Sequence, residues 1–290
     1  MGSIAGNRVS CCLVFLLLLL LLPHPAAAGD DTGKATGDPA VEVAVEPAIE
    51  EEALAILRPA IAFLPKAQRF SFRTTTTFDR VQESGQKLHF GATSETKVRR
   101  PDRVSVSATR DDGSKRRVWY NKGHLAIYED GENVYGTLNT PDNIDDTLDY
   151  VEEKGFVKVP VSDLLYSDLS FLETRADSGI LVGESRVNGV ACNHLAFRNE
   201  VVDWQLWIEK GSKPLFRKVL ITYKEQPGHP QFAAILDRWN FSPKLPDSLF
   251  LFSPPEGAEK IRFLSLQPRP LDEEESGQSG TPSSEGEDTE

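Results

Sequence analysis

The stretch VVDWQLWIEKGSKPLFRKVLITYK, residues Val201–Lys224, decides the fold that we predict for this chain. Two sets of apolar residues in it recur at alternating positions, namely Val202, Trp204, Leu206 and Ile208, and then Leu215, Val219, Ile221 and Tyr223. Side chains two residues apart in a strand lie on the same face of a sheet. A connector that contains Gly and Pro, residues 210–214, separates the two sets. This arrangement is typical of a β-hairpin.

Short alternating runs occur on both sides of this hairpin. Between residues 69 and 138 they are divided about every ten residues by turn sequences such as Asp111-Asp112-Gly113. After residue 179, Asn188-Gly189 separates two further runs, and Asn-Gly between alternating runs is a strong signal for a tight hairpin. The sequence therefore predicts an antiparallel sheet of many short strands.

Two segments have the spacing of helices. Residues 48–64 carry apolar side chains at near-helical spacing after an acidic first turn, and Pro59 is expected to kink or interrupt that helix. Residues 141–174 interrupt the strands with apolar positions at helical spacing, and Ser162 is a candidate N-cap. Strands, helices and strands again predict an α+β fold, with a long curved antiparallel sheet and helices on one face.

The two ends of the chain differ from the middle. Residues 1–28 combine Arg8, an apolar run over Cys11–Leu22 and the small residues Ala26-Ala27-Ala28, which predicts a cleaved export signal. An apolar run of this length is too short to span a bilayer, so we expect no transmembrane anchor after cleavage. Residues 29–47 are expected to form a disordered acidic leader, residues 48–267 one domain, and residues 268–290 a disordered acidic tail. We expect the mature chain to be exported.

The charge is concentrated at the ends of the chain. The formal net charge is −12, and residues 272–290 alone carry eight acidic side chains and no basic one. The middle of the chain is close to neutral, and its two basic clusters, at Arg99-Arg100 and residues 115–117, stand beside predicted turns. A nucleic-acid-binding protein needs a concentrated basic face. We therefore expect no nucleic-acid partner.

Several segments resemble one uncharacterised protein family. The segments are DLLYSD (Asp163–Asp168), GVACNHLAFR (Gly189–Arg198), the opening stretch from Asp203, and QFAAILDRWNFSPKLPDSLFLFSPPEGAEKI (Gln231–Ile261). They look like the predicted periplasmic proteins of domain of unknown function 2092, over residues 50–265, and this resemblance implies a periplasmic location for the exported chain. The hairpin at 201–224 is also similar to one in the LolA/LolB lipoprotein-carrier superfamily. That likeness implies a half-open barrel whose helices cover a concave apolar face, and, more remotely, the binding of acyl chains.

One pair of side chains has the chemistry of a reactive site. Cys192 and His194 lie two residues apart on one strand face, where a thiolate and an imidazole would serve a nucleophile or a metal. The alternative is a small apolar Cys beside an ordinary strand His, and no third ligand stands at metal-binding spacing. We favour the alternative, and we predict no catalytic residue, no metal site and no cofactor.

The aromatic and aliphatic residues of the strands are the candidate ligand-binding side chains. They are Phe72, Phe78, Phe90, Trp119, Trp204, Leu206, Ile221 and Tyr223. The same residue types either line a cavity or fill a closed core. We therefore predict a non-enzymatic exported protein that binds or carries a hydrophobic ligand, such as a lipid or the acyl chain of a lipoprotein. The alternative is an envelope structural or interaction protein with a filled core.

Overall fold

The computed structural model describes residues 48–154, 156 and 160–262. Helix α1 spans Glu51–Phe63, α2 spans Ile144–Glu153 and α3 spans Phe171–Thr174, and short 3₁₀ turns cover Leu64–Lys66, Pro160–Leu165 and Asp247–Phe250. The strands are β1 (Arg69–Val81), β2 (Lys87–Arg99), β3 (Arg103–Arg110), β4 (Lys115–Asn121), β5 (His124–Glu129), β6 (Val134–Asn139), β7 (Ser178–Val187), β8 (Val190–Arg198), β9 (Val202–Glu209), β10 (Phe216–Tyr223), β11 (Gln231–Asn240) and β12 (Glu259–Lys260). The predicted signal, leader and tail lie outside the described residues.

All twelve strands form one curved, unclosed sheet. Its order is β12-β6-β5-β4-β3-β2-β1-β11-β10-β9-β8-β7, so the sheet consists of two meanders joined where β1 pairs with β11. Neighbouring strands are antiparallel except for β12, which runs parallel to β6. The predicted α+β fold, with a long curved antiparallel sheet and helices on the concave face, is confirmed.

The hairpin at 201–224 is present, and most of its two apolar sets lie on one face of the sheet, namely Val202, Trp204, Leu206, Ile208, Val219, Ile221 and Tyr223. Val219 pairs with Leu206 and Ile221 pairs with Trp204 across β9 and β10. We call this face, which the helices cover, the inner face. A register shift between Phe216 and Lys218 adds one residue to β10, and Phe216 is buried. Simple alternation does not predict this β-bulge, and it would have placed Phe216 on the outer face.

Helix α1 packs against the inner face and contacts β7 and β9. Ala53, Leu57 and Ala60 are fully buried on one side of it, at helical spacing. They belong to the same core cluster as Phe70 and Phe72 of β1. The helix continues through Pro59, which differs from the predicted interruption. Burial of the apolar side of α1 outweighs the hydrogen bond that a proline inside a helix removes.

The second helical region is more broken than its sequence spacing indicates. Helix α2 begins after Asn143, whose side chain accepts a hydrogen bond from the Asp146 backbone N–H and so acts as the N-cap. Pro160–Leu165 forms only a 3₁₀ turn in place of the predicted second helix with Ser162 at its N-cap. Leu164, Leu165 and Leu169 are nevertheless buried in the main core. The apolar positions were predicted, but the type of helix was not.

Candidate functional site

An apolar cavity of about 140 Å³ lies on the inner face, beneath the chain segment that precedes β7. We call this segment, Pro160–Arg175, the covering segment. From the sheet, Val202, Trp204, Leu206, Val219 and Ile221 line the cavity, and from the covering segment Val161, Leu164, Phe171 and Leu172 do so. Most of the wall therefore comes from one hairpin and from one irregular segment, and Asp163, Arg175 and Asn199 add polar groups to the lining. Such a cavity suits an apolar group.

The hairpin places its wall residues by strand register. Trp204 and Leu206 alternate along β9, and the antiparallel pairing sets Ile221 and Val219 directly opposite them. Leu195 of β8 pairs with Leu206 from the other side and is fully buried. Leu206 is therefore held between two neighbouring strands, which makes this part of the wall rigid.

Polar contacts attach the covering segment to the rest of the protein. The guanidinium of Arg100 donates hydrogen bonds to the backbone carbonyls of Leu165 and Tyr166. Partial burial lowers the pKa of Arg100, and Asp145 opposes that shift. Farther along, Arg58 of α1 pairs with Glu173 at 2.8 Å. The covering segment is thus fastened at separate points, and it contributes no strand to the sheet.

Two polar groups of the hairpin lie beside this apolar cavity. The indole N–H of Trp204 is buried and has no hydrogen-bond acceptor among the described residues. A buried donor without a partner carries a desolvation cost that an acceptor oxygen would remove. Tyr223 follows Ile221 on the same face, and burial, together with the charge of Asp163, raises the pKa of its hydroxyl.

The structure places the predicted site residues in several different surroundings. Trp204, Leu206 and Ile221 line the cavity, whereas Phe72 stacks on Trp239 within the core, at a centroid distance of 4.6 Å. Phe78 and Phe90 pair across β1 and β2, stack at 5.8 Å and lie outside both described cavities. Trp119 precedes the buried Tyr120 in β4, so it lies on the outer face, where it packs against Phe252.

Sequence reasoning left out the covering-segment residues of the site. Leu164, Phe171 and Leu172 are among the apolar positions at helical spacing in residues 141–174, but nothing in local spacing shows which strands they cover. Val219 was also omitted, although it lies two residues before Ile221 on the same strand face. That alternation is the signal by which Val219 could have been found.

Cys192 and His194 share the outer face of β8, where the two side chains have different surroundings. Cys192 is fully buried in a small cluster with Val187 and Trp207, and burial raises the pKa of its thiol. The imidazole of His194 stacks on Trp207 at 4.1 Å and hydrogen-bonds to Gln205. A thiol with a raised pKa is a poor nucleophile at neutral pH.

The part of the chain that the structure describes holds neither a metal-binding cluster nor a membrane-spanning helix. No group of three or more His, Cys, Asp or Glu side chains there is arranged to hold a metal ion. No helix there is both long enough and apolar enough to cross a membrane.

Solved structures with a similar chain path come from several bacteria. The Mycobacterium tuberculosis lipoprotein LppX is 13% identical, with a TM-score of 0.42, over 67% of this chain and 97% of LppX. LprF from Mycobacterium bovis is 11% identical, with a TM-score of 0.44, over 69% of this chain and 98% of LprF. A putative outer membrane lipoprotein-sorting protein domain from Vibrio parahaemolyticus is 11% identical, with a TM-score of 0.31, over 69% of this chain and 96% of that domain.

The family comparison agrees with the resemblance seen in the sequence. No curated protein matches the chain. The sequence model of the family described as "Predicted periplasmic protein (DUF2092)" matches residues 53–264, which include nearly all of the described sheet and both walls of the cavity. The chain therefore belongs to the DUF2092 family of predicted periplasmic proteins.

Proposed function

We propose that this protein binds a hydrophobic ligand, such as a lipid or an acyl chain, between the covering segment and the inner face of the sheet. The observation that carries the proposal is the apolar cavity bounded by Trp204, Leu206 and Ile221 on one side and by the covering segment on the other. Membership of a periplasmic family is consistent with a ligand taken from the cell envelope.

The cavity volume sets a condition on this function. A dry apolar cavity of about 150 Å³ holds a molecule the size of benzene, whereas ordinary ligand sites measure roughly 300–1,000 Å³. The cavity described here, at about 140 Å³, has the size of one that holds a benzene-sized molecule. A complete acyl chain would therefore need the covering segment to move outward. That movement would break its hydrogen bonds to Arg100 and leave the strand pairing intact.

The proposal assigns no catalytic residue. Burial of Cys192 raises the pKa of its thiol and so favours the neutral thiol over the nucleophilic thiolate, which disfavours nucleophilic attack by this residue. Binding without a chemical step needs only shape and apolar surface, and the cavity has both.

A second candidate function is an envelope structural or interaction protein that takes up no ligand. The packing of α1 favours it, because Ala53, Leu57 and Ala60 are fully buried in the main core on the inner face. In that case the cavity is an ordinary packing defect at one end of the core.

Native mass spectrometry with lipid extraction, on protein purified from its own envelope, separates these two candidates. We expect co-purifying acyl species, and uptake of a fluorescent fatty acid by the delipidated protein. Val219→Phe should abolish uptake because the added ring occupies the cavity. Val182→Phe is the matched control, since Val182 is 51% exposed on the edge strand β7. A clean apo mass together with no uptake would support the second candidate instead.

A further inference from the structure

A second, larger cleft of about 480 Å³ opens at the other end of the hairpin. Its apolar surface comes from Phe63, Ala67 and Phe241, and its positive charge comes from Lys66, Arg69 and Lys213. None of these six residues lines the cavity beneath the covering segment. The volume falls within the ordinary range for ligand sites.

Three separate elements bring the positive charges to this cleft. Lys66 ends the 3₁₀ turn after α1, Arg69 begins β1, and Lys213 lies in the connection between β9 and β10. All three are exposed, and none has an ion-pair partner among the described residues. In contrast, Arg103 and Arg217 elsewhere on the sheet pair with carboxylates at 2.8 Å and 2.5 Å.

The apolar side of the cleft continues into the core. Phe63 and Phe241 meet edge to face at 5.6 Å, and Phe241 stacks on Trp239 at 5.9 Å. Trp239 in turn stacks on Phe72 beneath α1. A row of aromatic rings therefore leads from the three cations toward the inner face. A free inorganic anion would leave the rings in contact with water, whereas an amphiphile would cover them.

We propose that this cleft binds the anionic head group, a phosphate or a carboxylate, of a lipid amphiphile whose apolar chain lies against Phe63 and Phe241. Lys66, Arg69 and Lys213 neutralise the head group, and the rings remove part of the chain from water. The inference rests on the proposed function, because it names the class of hydrophobic ligand that the protein selects.

Two lipids with the same oleoyl chain test the inference. Delipidated protein is titrated, below the micelle concentration of each lipid, with oleoyl lysophosphatidic acid and with monooleoylglycerol, which lacks the phosphate. We expect the anionic lipid to bind about tenfold more tightly, since its phosphate meets three exposed cations that the uncharged glycerol head group cannot pair with. The preference should weaken as salt is added.

Charge-matched variants separate local binding from a general effect of charge. Replacing Lys66, Arg69 and Lys213 together with Ala should abolish the preference. Replacing Lys115, Lys122 and Lys260 with Ala removes the same charge from exposed positions outside the cleft and should preserve it. Circular dichroism verifies that both variants are folded.

Each contrary outcome has a distinct meaning. Equal binding of the two lipids by the wild type overturns the head-group inference and leaves the proposed function standing. Failure of both lipids to bind contradicts the proposed function as well. Equal loss in the two triple variants overturns the assignment of the site. Full displacement of the anionic lipid by an equimolar amount of inorganic phosphate indicates a free-anion site and also overturns the inference.

Discussion

Leu206→Ala tests whether the wall of the cavity is packed as the structure indicates. Leu206 is 1% exposed, and it lies on β9 between Leu195 and Val219 of the neighbouring strands. The substitution removes three carbon atoms, which costs about 2.4 kcal/mol of transfer free energy at roughly 0.8 kcal/mol each. A residual void of about 60 Å³ adds about 1.4 kcal/mol at roughly 24 cal/mol per Å³. The free energy of unfolding should therefore fall by about 4 kcal/mol.

Urea unfolding followed by tryptophan fluorescence measures this loss. Leu251→Ala is the matched control, because Leu251 is 58% exposed and the same atoms are removed. The control should change the free energy of unfolding by less than about 0.5 kcal/mol. A loss below about 1 kcal/mol for Leu206→Ala would mean that the wall collapses or is already open to water. Either result refutes a preformed, tightly packed cavity.

Three further predictions concern other parts of the sheet. Gly179→Ala should lower the free energy of unfolding by about 1–3 kcal/mol, because the new Cβ would lie 2.4 Å from a ring carbon of Phe197; urea unfolding measures this. Cys192 should not react with a thiol reagent in the native protein at neutral pH, because burial raises the pKa of the thiol; it should react fully once the protein is unfolded. Asp79→Asn should cost about 1 kcal/mol at neutral pH, since its hydrogen bond with His89 lowers the pKa of Asp79 and thereby stabilises the charged carboxylate. The stabilisation that the Asp79 carboxylate contributes is fully present above the unfolded-state pKa of about 3.9, and it is lost as the pH falls through the lower native pKa. The difference in the free energy of unfolding between the wild type and Asp79→Asn should therefore disappear in acid.

Each of these predictions has a result that contradicts it. An unchanged stability in Gly179→Ala would show that Phe197 moves aside freely. Stoichiometric labelling of native Cys192 at neutral pH would show that the thiol is accessible. For Asp79→Asn, a difference in stability that persists unchanged below about pH 3 would assign the effect to packing rather than to ionisation.

The sheet was largely predictable because strands have strong local signals. Alternation placed Trp204 and Leu206 on one face, and Asn188-Gly189 located a tight turn between β7 and β8. The bulge at Phe216 was not predictable, because it depends on how β10 pairs with β9. The interruption of α1 at Pro59, one of the two expected outcomes, does not occur, since burial against the sheet outweighs the local preference.

The candidate site was less predictable than the fold. Alternation predicts that Trp119 and Tyr120 lie on opposite faces of β4, but only the packing of the completed sheet shows that Tyr120 faces the core. Phe78 and Phe90 carry the residue type of a cavity wall, yet they lie outside both cavities, because the position of a covering segment is a tertiary property. The cluster of Lys66, Arg69 and Lys213 joins residues almost 150 positions apart, and no local pattern brings them together.

The proposed binding of a lipid between the covering segment and the sheet is tested most directly by the fluorescence of single tryptophans. A variant that retains Trp204 and carries Phe at the other three tryptophan positions is titrated with a dibrominated stearic acid, whose bromine atoms quench indole fluorescence on contact. A matched variant retains only Trp119, which lies on the outer face. We predict saturable quenching of Trp204 and little quenching of Trp119. Equal quenching of both, or no quenching of Trp204 while the protein remains folded, would contradict the proposed site.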